Sequence, residues 1–481
     1  MKNIKKSNKK IWLMWGLVGL MAIIFRFSNY ENRWVINQDQ ARDAVIGLYG
    51  LRNGQWPEIG SPSSAGPFNF GPWYHWLIMI FEKILPFASG PWVAFTVLSV
   101  ISVFLFAMIG KKYYGKLGII IFGLMAAMAV GQAENGPDML NTVIVGFFST
   151  IALWAIMKLL ETEKLKWAVL VGAGVGWAIN SHFQAWGLMS LPLAIFLVNK
   201  FSFWKKIKWL AAMGLGWLIT FIPLLRFDIY HNGVWIKSVI EYYTVGVKKF
   251  YVPVRWLTEI RDFWPQLFGS VTVGINWFGY IWLILGLIVL GVIIKKRNKI
   301  KKFWWILALS LVIQIGLMRM YRGVRSKEYL IAFHGYIILF CSWIVAEWFK
   351  LNKYLGIIIL STVLILAGIN NWKIIYEHQS QAKTILEIKE ELDKNNKGPM
   401  VIEHFKESDM ASMPLFYLYY RENKIDNNGT KISVCDGNKY QCPGGETIIR
   451  NNYRIYINKN FEWYELTPEN IYGRLMVNYG K

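Results

Sequence analysis

Eleven apolar runs, separated by short loops, decide what this chain can become. They cover residues 11–27, 92–110, 117–132, 139–157, 167–181, 185–199, 209–225, 277–294, 303–318, 329–349 and 354–371. A helix needs about 20 apolar residues to cross the hydrocarbon core, and shorter runs cross when flanking side chains reach back to the interface. The chain is 54% hydrophobic and only 17% charged, against about 25% charged residues in a soluble domain. A disordered chain, a coiled coil and a disulfide-stapled mini-protein are excluded, and a soluble enzyme is disfavoured. The expected fold class is a polytopic α-helical membrane protein with about eleven crossings.

The basic residues orient the map. They cluster at residues 1–10, at Lys111, Lys112 and Lys116, at Lys158, Lys164 and Lys166, at Lys200, Lys205, Lys206 and Lys208, at 295–302 and at Lys350 and Lys353. Cytoplasmic loops collect Lys and Arg, so an even number of crossings should separate each consecutive pair. The run at 11–27 has no small-residue cleavage site after it and reads as an uncleaved first span. The stretch 73–87 would break the alternation if it crossed, so it is expected to lie in the interface as an aromatic, amphipathic helix. The formal net charge of +23 is then an orientation signal, and no nucleic-acid partner is expected. The location expected is the plasma membrane, with the N-terminus cytoplasmic. The cytoplasmic loops leave no room for a nucleotide-binding domain, and no G-x-x-x-x-G-K-[ST] motif occurs.

Composition shifts after residue 372 towards Asn, Lys and Glu. The division expected is a transmembrane domain over 1–372 and a soluble extracytoplasmic α/β domain over 373–481. Helical patterns run over 379–394 and 410–420, and strand-like runs over 400–403, 431–434 and 454–457. Cys435 and Cys442 flank a Gly- and Asn-containing loop and are placed to close a disulfide outside the cytoplasm; two free thiols are the alternative. Cys341 sits in an apolar span as a small core residue.

Chemistry-bearing residues concentrate in the outer loops. The first holds Asn37-Gln38-Asp39-Gln40-Ala41-Arg42-Asp43-Ala44. The apolar stripe Ala41, Ala44, Val45, Leu48 and Leu51 makes this a short helix, which Gly54 ends. Asp39 either caps that helix or acts on substrate. Asp43 and Arg42 either pair structurally or touch substrate. A Gly- and Pro-punctuated loop then leads to Trp73-Tyr74-His75-Trp76, where His75 is a candidate ligand or interfacial filler. The second outer loop offers Glu134 and Asp138, and a carboxylate at the membrane edge is costly without a partner. Asp138 could instead cap the next helix. His182 lies in a short polar loop. The loop from Arg319 to Tyr329 is basic although it should face outside. Arg322, Arg325 and Lys327 could hold a phosphate there, or attract anionic lipid head groups.

These segments together resemble the GT-C glycosyltransferases of the protein O-mannosyltransferase and aminoarabinose-transferase type. Many members carry D-E-x-R-Y-A after the first span; here it is Asp39-Gln40-Ala41-Arg42-Asp43-Ala44. Gly54-Gln55-Trp56 matches a Gly-x-Trp, Gly71-Pro72-Trp73-Tyr74-His75-Trp76-Leu77 stands for P-P-L-Y-Y-W-L, and Asp138 stands for a second outer-loop acid. Gln40 and Asp43 depart from the motif, and the family Lys before the interfacial helix is Gly71. The resemblance implies inverting transfer of a sugar from a polyprenyl-phosphate donor to an extracytoplasmic lipid, glycan or protein. Asp39 would be the base, Asp138 would position base or acceptor, and Asp43, Arg42, Glu134, His75, His182, Arg322, Arg325 and Lys327 would line the substrates. No His/Cys cluster indicates a metal, and a divalent ion stays open. Membrane lipids are the remaining partners. The alternative is a transporter or flippase of a lipid-linked glycan or anion, which would need charges deep within the spans; these spans are nearly free of them.

The topology has a direct consequence. Alkaline phosphatase fused after Asn371 is expected to be active, and fused after Gly115 inactive; the opposite outcome at either site breaks the map.

Overall fold

The computed structural model of the chain describes residues 2–63, 66–244, 258–297, 299–320, 327–377, 381–405, 411–459, 461 and 463–479. Its helices are α1 (Lys2–Phe27), α2 (Gln38–Asn53), α3 (Trp73–Ile84), α4 (Gly90–Met128), α5 (Val130–Glu134), α6 (Asn141–Thr162) and α7 (Leu165–Ser181). A 3-10 segment, Phe183–Met189, leads into α8 (Ser190–Val198), then α9 (Phe203–Tyr230), α10 (Val234–Thr244), α11 (Trp264–Val273), α12 (Phe278–Lys295) and α13 (Lys302–Met320). The series ends with α14 (Ile331–Leu351), α15 (Lys353–Glu377), α16 (Gln381–Asn395), α17 (Met413–Arg421) and α18 (Pro468–Gly473).

Eight helical stretches among the described residues are long and apolar enough to cross a membrane. One of them, the 39-residue α4, breaks at Gly115, where φ is +61°. Glycine tolerates that value because it has no Cβ to clash, so α4 supplies two crossings. The 17-residue α7 and the shorter apolar stretch Phe183–Val198 complete eleven apolar segments in the order expected. The protein is a multi-pass membrane protein. The window of Lys327–Leu351 is 89% buried, which makes α14 the central helix. By contrast α12 exposes Leu283, Ile284 and Leu287, and α15 exposes Ile357, Ile358 and Ile365. Such faces suit lipid, where apolar exposure carries no penalty.

Helix contacts inside this bundle use small residues and a few hydroxyls. A Cβ at Gly172 would stand 1.8 Å from the Met213 carbonyl oxygen, and one at Gly216 would stand 2.0 Å from that of Val169. The backbones of α7 and α9 therefore touch, as close helix pairs in membranes do. Ser190 and Ser310 share a hydrogen bond of 2.6 Å, and the Ser310 and Tyr336 hydroxyls share one of 2.8 Å. Gln314 donates to Ser310 at 3.1 Å. This satisfied polar chain joins α8, α13 and α14 at no desolvation cost left unpaired.

Helix α3 has 12 residues, or about 18 Å of rise, and cannot cross a core of about 30 Å. It buries Tyr74, His75, Ile78, Met79 and Glu82 on one face, against α2, α4 and α7. Beyond α16 a five-stranded sheet forms from β1 (Met400–His404), β2 (Thr430–Asp436), β3 (Ile448–Arg450), β4 (Tyr453–Ile457) and β5 (Tyr464–Glu465). Its order is β3-β4-β2-β1-β5, with β1 and β2 parallel and the other pairs antiparallel. Cys435 and Cys442 are joined by a disulfide, and Cys341 is a buried free thiol.

Candidate functional site

Helix α2 starts with a reciprocal cap. The Asn37 side chain accepts from the Gln40 backbone N–H at 3.1 Å, and the Gln40 side chain accepts from the Asn37 N–H at 2.9 Å. This capping box satisfies two orphan donors of the first turn. Asp39 is therefore not the cap, which corrects one of the two readings of that residue. Ala41, Ala44, Val45 and Leu48 are buried along one stripe, and Gly54 closes the helix at φ +64°. With the cap supplied by its neighbour, Asp39 keeps its carboxylate on the open side: the side chain is 62% exposed.

Arg42 sits one turn on and binds both acids of its helix. Its Nη1 donates to Asp39 Oδ1 at 2.8 Å, while Nε and Nη2 reach Asp43 Oδ1 at 2.9 and 2.8 Å. Asp43 is almost fully buried and meets two further partners from other elements. Ser61 Oγ donates to its Oδ1 at 3.2 Å, and His75 Nε2 lies 3.4 Å away on α3. Burial alone would raise the Asp43 carboxyl. The Arg42 charge, with the His75 and Arg42 hydrogen bonds, outweighs burial and holds it below its ordinary range. The same acids hold the Arg42 guanidinium above its ordinary value against its own desolvation. Asp43, Arg42 and His75 thus form a closed set behind Asp39. His75 is fully buried and backs Asp43.

Asp138 reaches the same turn through Gln40, whose side-chain amide donates to Asp138 Oδ1. It lies before Met139, whose carbonyl accepts from the Tyr74 hydroxyl at 3.0 Å. The cap of α6 is at Leu140, so Asp138 does not serve as that cap. Burial first, and the Glu328 carboxylate second, push the Asp138 carboxyl up to about 7 from 3.8. A carboxyl moved close to neutral pH, and tied to the residue that follows Asp39, marks a candidate functional position.

The remaining sequence candidates are spread more widely. Glu134 is exposed at the end of α5, and Lys327 is exposed at the start of a short 3-10 turn. Arg322 and Arg325 lie outside the described residues. His182 begins the 3-10 segment before α8, where its Nδ1 accepts from the Gln184 N–H at 3.4 Å. It packs on Tyr329 and Phe70, each with ring centroids 5.0 Å apart, and burial lowers its pKa to about 4. Gly71 explains a departure from the motif. Its N–H donates to the Asn180 carbonyl at 2.8 Å, and a Cβ would lie 1.8 Å from Asn180 Oδ1. There is no room for a lysine there. Among the described residues no group of three His, Cys, Asp or Glu side chains is arranged for a metal.

Sequence reasoning missed Ser61, Glu328 and Gln40 as parts of this site. Gln40 had been a visible signal, since it replaces the motif acid next to Asp39, but its tie to Asp138 spans 98 residues.

Residues 67–227 match the family described as dolichyl-phosphate-mannose-protein mannosyltransferase. The crystal structure of ArnT from Cupriavidus metallidurans bound to undecaprenyl phosphate is similar, with a TM-score of 0.65. The chain carries the GT-C fold. The ArnT match has 10% identity and covers 94% of this chain and 98% of that one. ArnT in the apo state gives a TM-score of 0.60 over the same shares. The archaeal oligosaccharyltransferase AglB from Archaeoglobus fulgidus, in complex with an inhibitory peptide and a dolichol-phosphate, gives 0.50 at 11% identity, over 89% of this chain and 70% of that one. No curated protein matches the chain by sequence. In this GT-C chain the matched segment starts in the first loop, before α3, and ends inside α9.

The raised Asp138 carboxyl has a stability signature. The folded chain holds a proton between pH 3.8 and about 7 that the unfolded chain releases. The stabilisation is complete below 3.8, falls as pH rises to about 7, and is flat above. Asp138→Asn keeps an oxygen for Gln40 but cannot ionise. Its unfolding free energy in detergent should therefore gain on wild type from about pH 4.5 to about 7.5, by an amount on the order of a few kcal/mol, and hold a constant offset above. A difference independent of pH would contradict the assignment.

Proposed function

We propose that this protein is an integral membrane glycosyltransferase that moves a sugar from a polyprenyl-phosphate donor to an extracytoplasmic acceptor, with inversion at the anomeric carbon. The observation that carries the reading is the Asp39 carboxylate, exposed yet fixed by Arg42, with Asp138 tied to the same helical turn through Gln40. Two similar structures hold undecaprenyl phosphate and a dolichol-phosphate, which supports a lipid phosphate as the leaving group here.

On this reading the acceptor hydroxyl oxygen attacks the anomeric carbon. The bond from that carbon to the phosphate oxygen breaks, and its electron pair leaves with the lipid phosphate. Asp39 takes the hydroxyl proton as general base. Arg42 orients that carboxylate, and Asp43, His75 and Ser61 keep Arg42 in place. Asp138 carries a proton for part of the time near pH 7 and can donate a hydrogen bond to acceptor or sugar. Lys327, with Arg322 and Arg325 of the same loop, would take up the charge developing on the phosphate. Gly71 supplies no cation, so the loop carries that task.

The test is Asp39→Asn. Asn37 and Gln40 still cap α2, so the variant should express and melt close to wild type. Loss of a general base should lower turnover by about 10²–10⁴-fold. Near wild-type transfer by a well-folded Asp39→Asn would remove Asp39 from the chemistry.

A further inference from the structure

The C-terminal unit does not simply follow the membrane bundle; it grips the two short helices that carry the candidate site. Glu82 on α3 is buried, with a side chain 0% exposed. A carboxylate so placed requires partners, and its partners come from α17, more than 330 residues away in sequence. Arg421 Nη1 pairs with Glu82 Oε2, and the Tyr417 hydroxyl lies 2.9 Å from Glu82 Oε1. That hydroxyl is also 2.9 Å from the Ala88 carbonyl, at the loop between α3 and α4.

The same end of α17 holds α2. Arg52, in the last turn of α2, donates from Nη1 to the Tyr420 carbonyl and from Nη2 to the Arg421 carbonyl, both at 2.9 Å. Its guanidinium lies 4.5 Å from the centroid of the Tyr420 ring. A cation on the terminal carbonyls of a helix meets the negative end of its dipole. Further along, Tyr472 of α18 packs on Tyr49 of α2 with centroids 5.0 Å apart. Asn69 of the first loop donates to the Leu475 carbonyl at 2.7 Å.

His75 and Glu82 are seven residues apart on α3, two turns, and so share its buried face. A tilt of α3 at Glu82 moves His75, and through it Asp43, Arg42 and Asp39. We propose that the C-terminal unit is a brace that sets the arrangement of α2 and α3, and that Arg421 is its positioning residue for transfer. The link to transfer rests on the glycosyltransferase reading; the mechanical part does not.

Full-length protein in detergent tests both parts. In Arg421→Met, hydrogen exchange should speed up about tenfold or more in residues 38–53 and 73–84 and stay unchanged in α6 and α7. Turnover should fall about 10- to 100-fold, with the donor KM within about threefold of wild type. Glu82→Leu/Arg421→Met replaces the pair with apolar side chains and should restore both readouts in large part, because no bare carboxylate is left buried. Should Arg421→Met not fold, Arg52→Met probes the same grip from an exposed position and should loosen 38–53 alone. Unchanged exchange in α2 and α3 overturns the brace, as does a double variant no better than the single. Faster exchange with unaltered turnover overturns the positioning role. If wild type transfers no sugar from any polyprenyl-phosphate donor, the transferase reading fails, and the exchange result alone decides the brace.

Discussion

Arg42 stands between two carboxylates of its own helix, and the candidate site is organised around that guanidinium. Asp43 keeps its charge against it inside the protein, while Asp39 meets the same guanidinium at the surface. The two acids differ in exposure because α2 buries one face against α3, and Asp43 falls on that face. A buried ion pair adds little net stability, since desolvation offsets its attraction. What it supplies here is geometry: removing any member would leave an uncompensated group next to the exposed acid. His75, Ser61 and Gln40 extend the arrangement to α3, the first loop and Asp138.

The membrane explains why this polar set lies where it does. Backbone in hydrocarbon must pair within its own segment, so the spans are regular helices and irregular structure is confined to their ends. The bundle interior holds polar chains such as Ser190–Ser310–Tyr336, whose hydroxyls bond one another. Charged chemistry must then be assembled from interhelical loops and from short helices that do not cross. Those elements are thin and would move on their own. The contacts of α17 and α18 with α2, and of Leu475 just after α18 with the first loop, supply the missing support.

The spans were legible in the sequence because hydrophobic length is a local signal, and the basic loops divide one run from the next. The interfacial α3 was legible from the same alternation. So were β1, β2 and β4, whose Val- and Ile-rich runs are buried on the sheet. The edge strands β3 and β5 were not, since three and two residues carry no period to read. At the site, the place of Asp39 after the first span left two readings, a helix cap or a group acting on substrate, and the cap is held by Asn37 and Gln40. A lone His among Trp and Tyr gave no hint that His75 would be buried on Asp43. Nor could Glu82 reveal Arg421. Such contacts are long-range, and nothing in a local window distinguishes a buried carboxylate with a distant partner from a solvated one. Arg322 and Arg325, read as phosphate ligands, fall outside the described residues.

Donor chemistry decides the function of this chain. The direct measurement is to incubate the purified full-length protein with a panel of radiolabelled polyprenyl-phosphate sugars and follow the label on the carrier. One sugar is expected to leave its carrier in a protein-dependent way and to appear with inverted anomeric configuration. A panel that stays intact in the presence of cooperatively folded protein would contradict it.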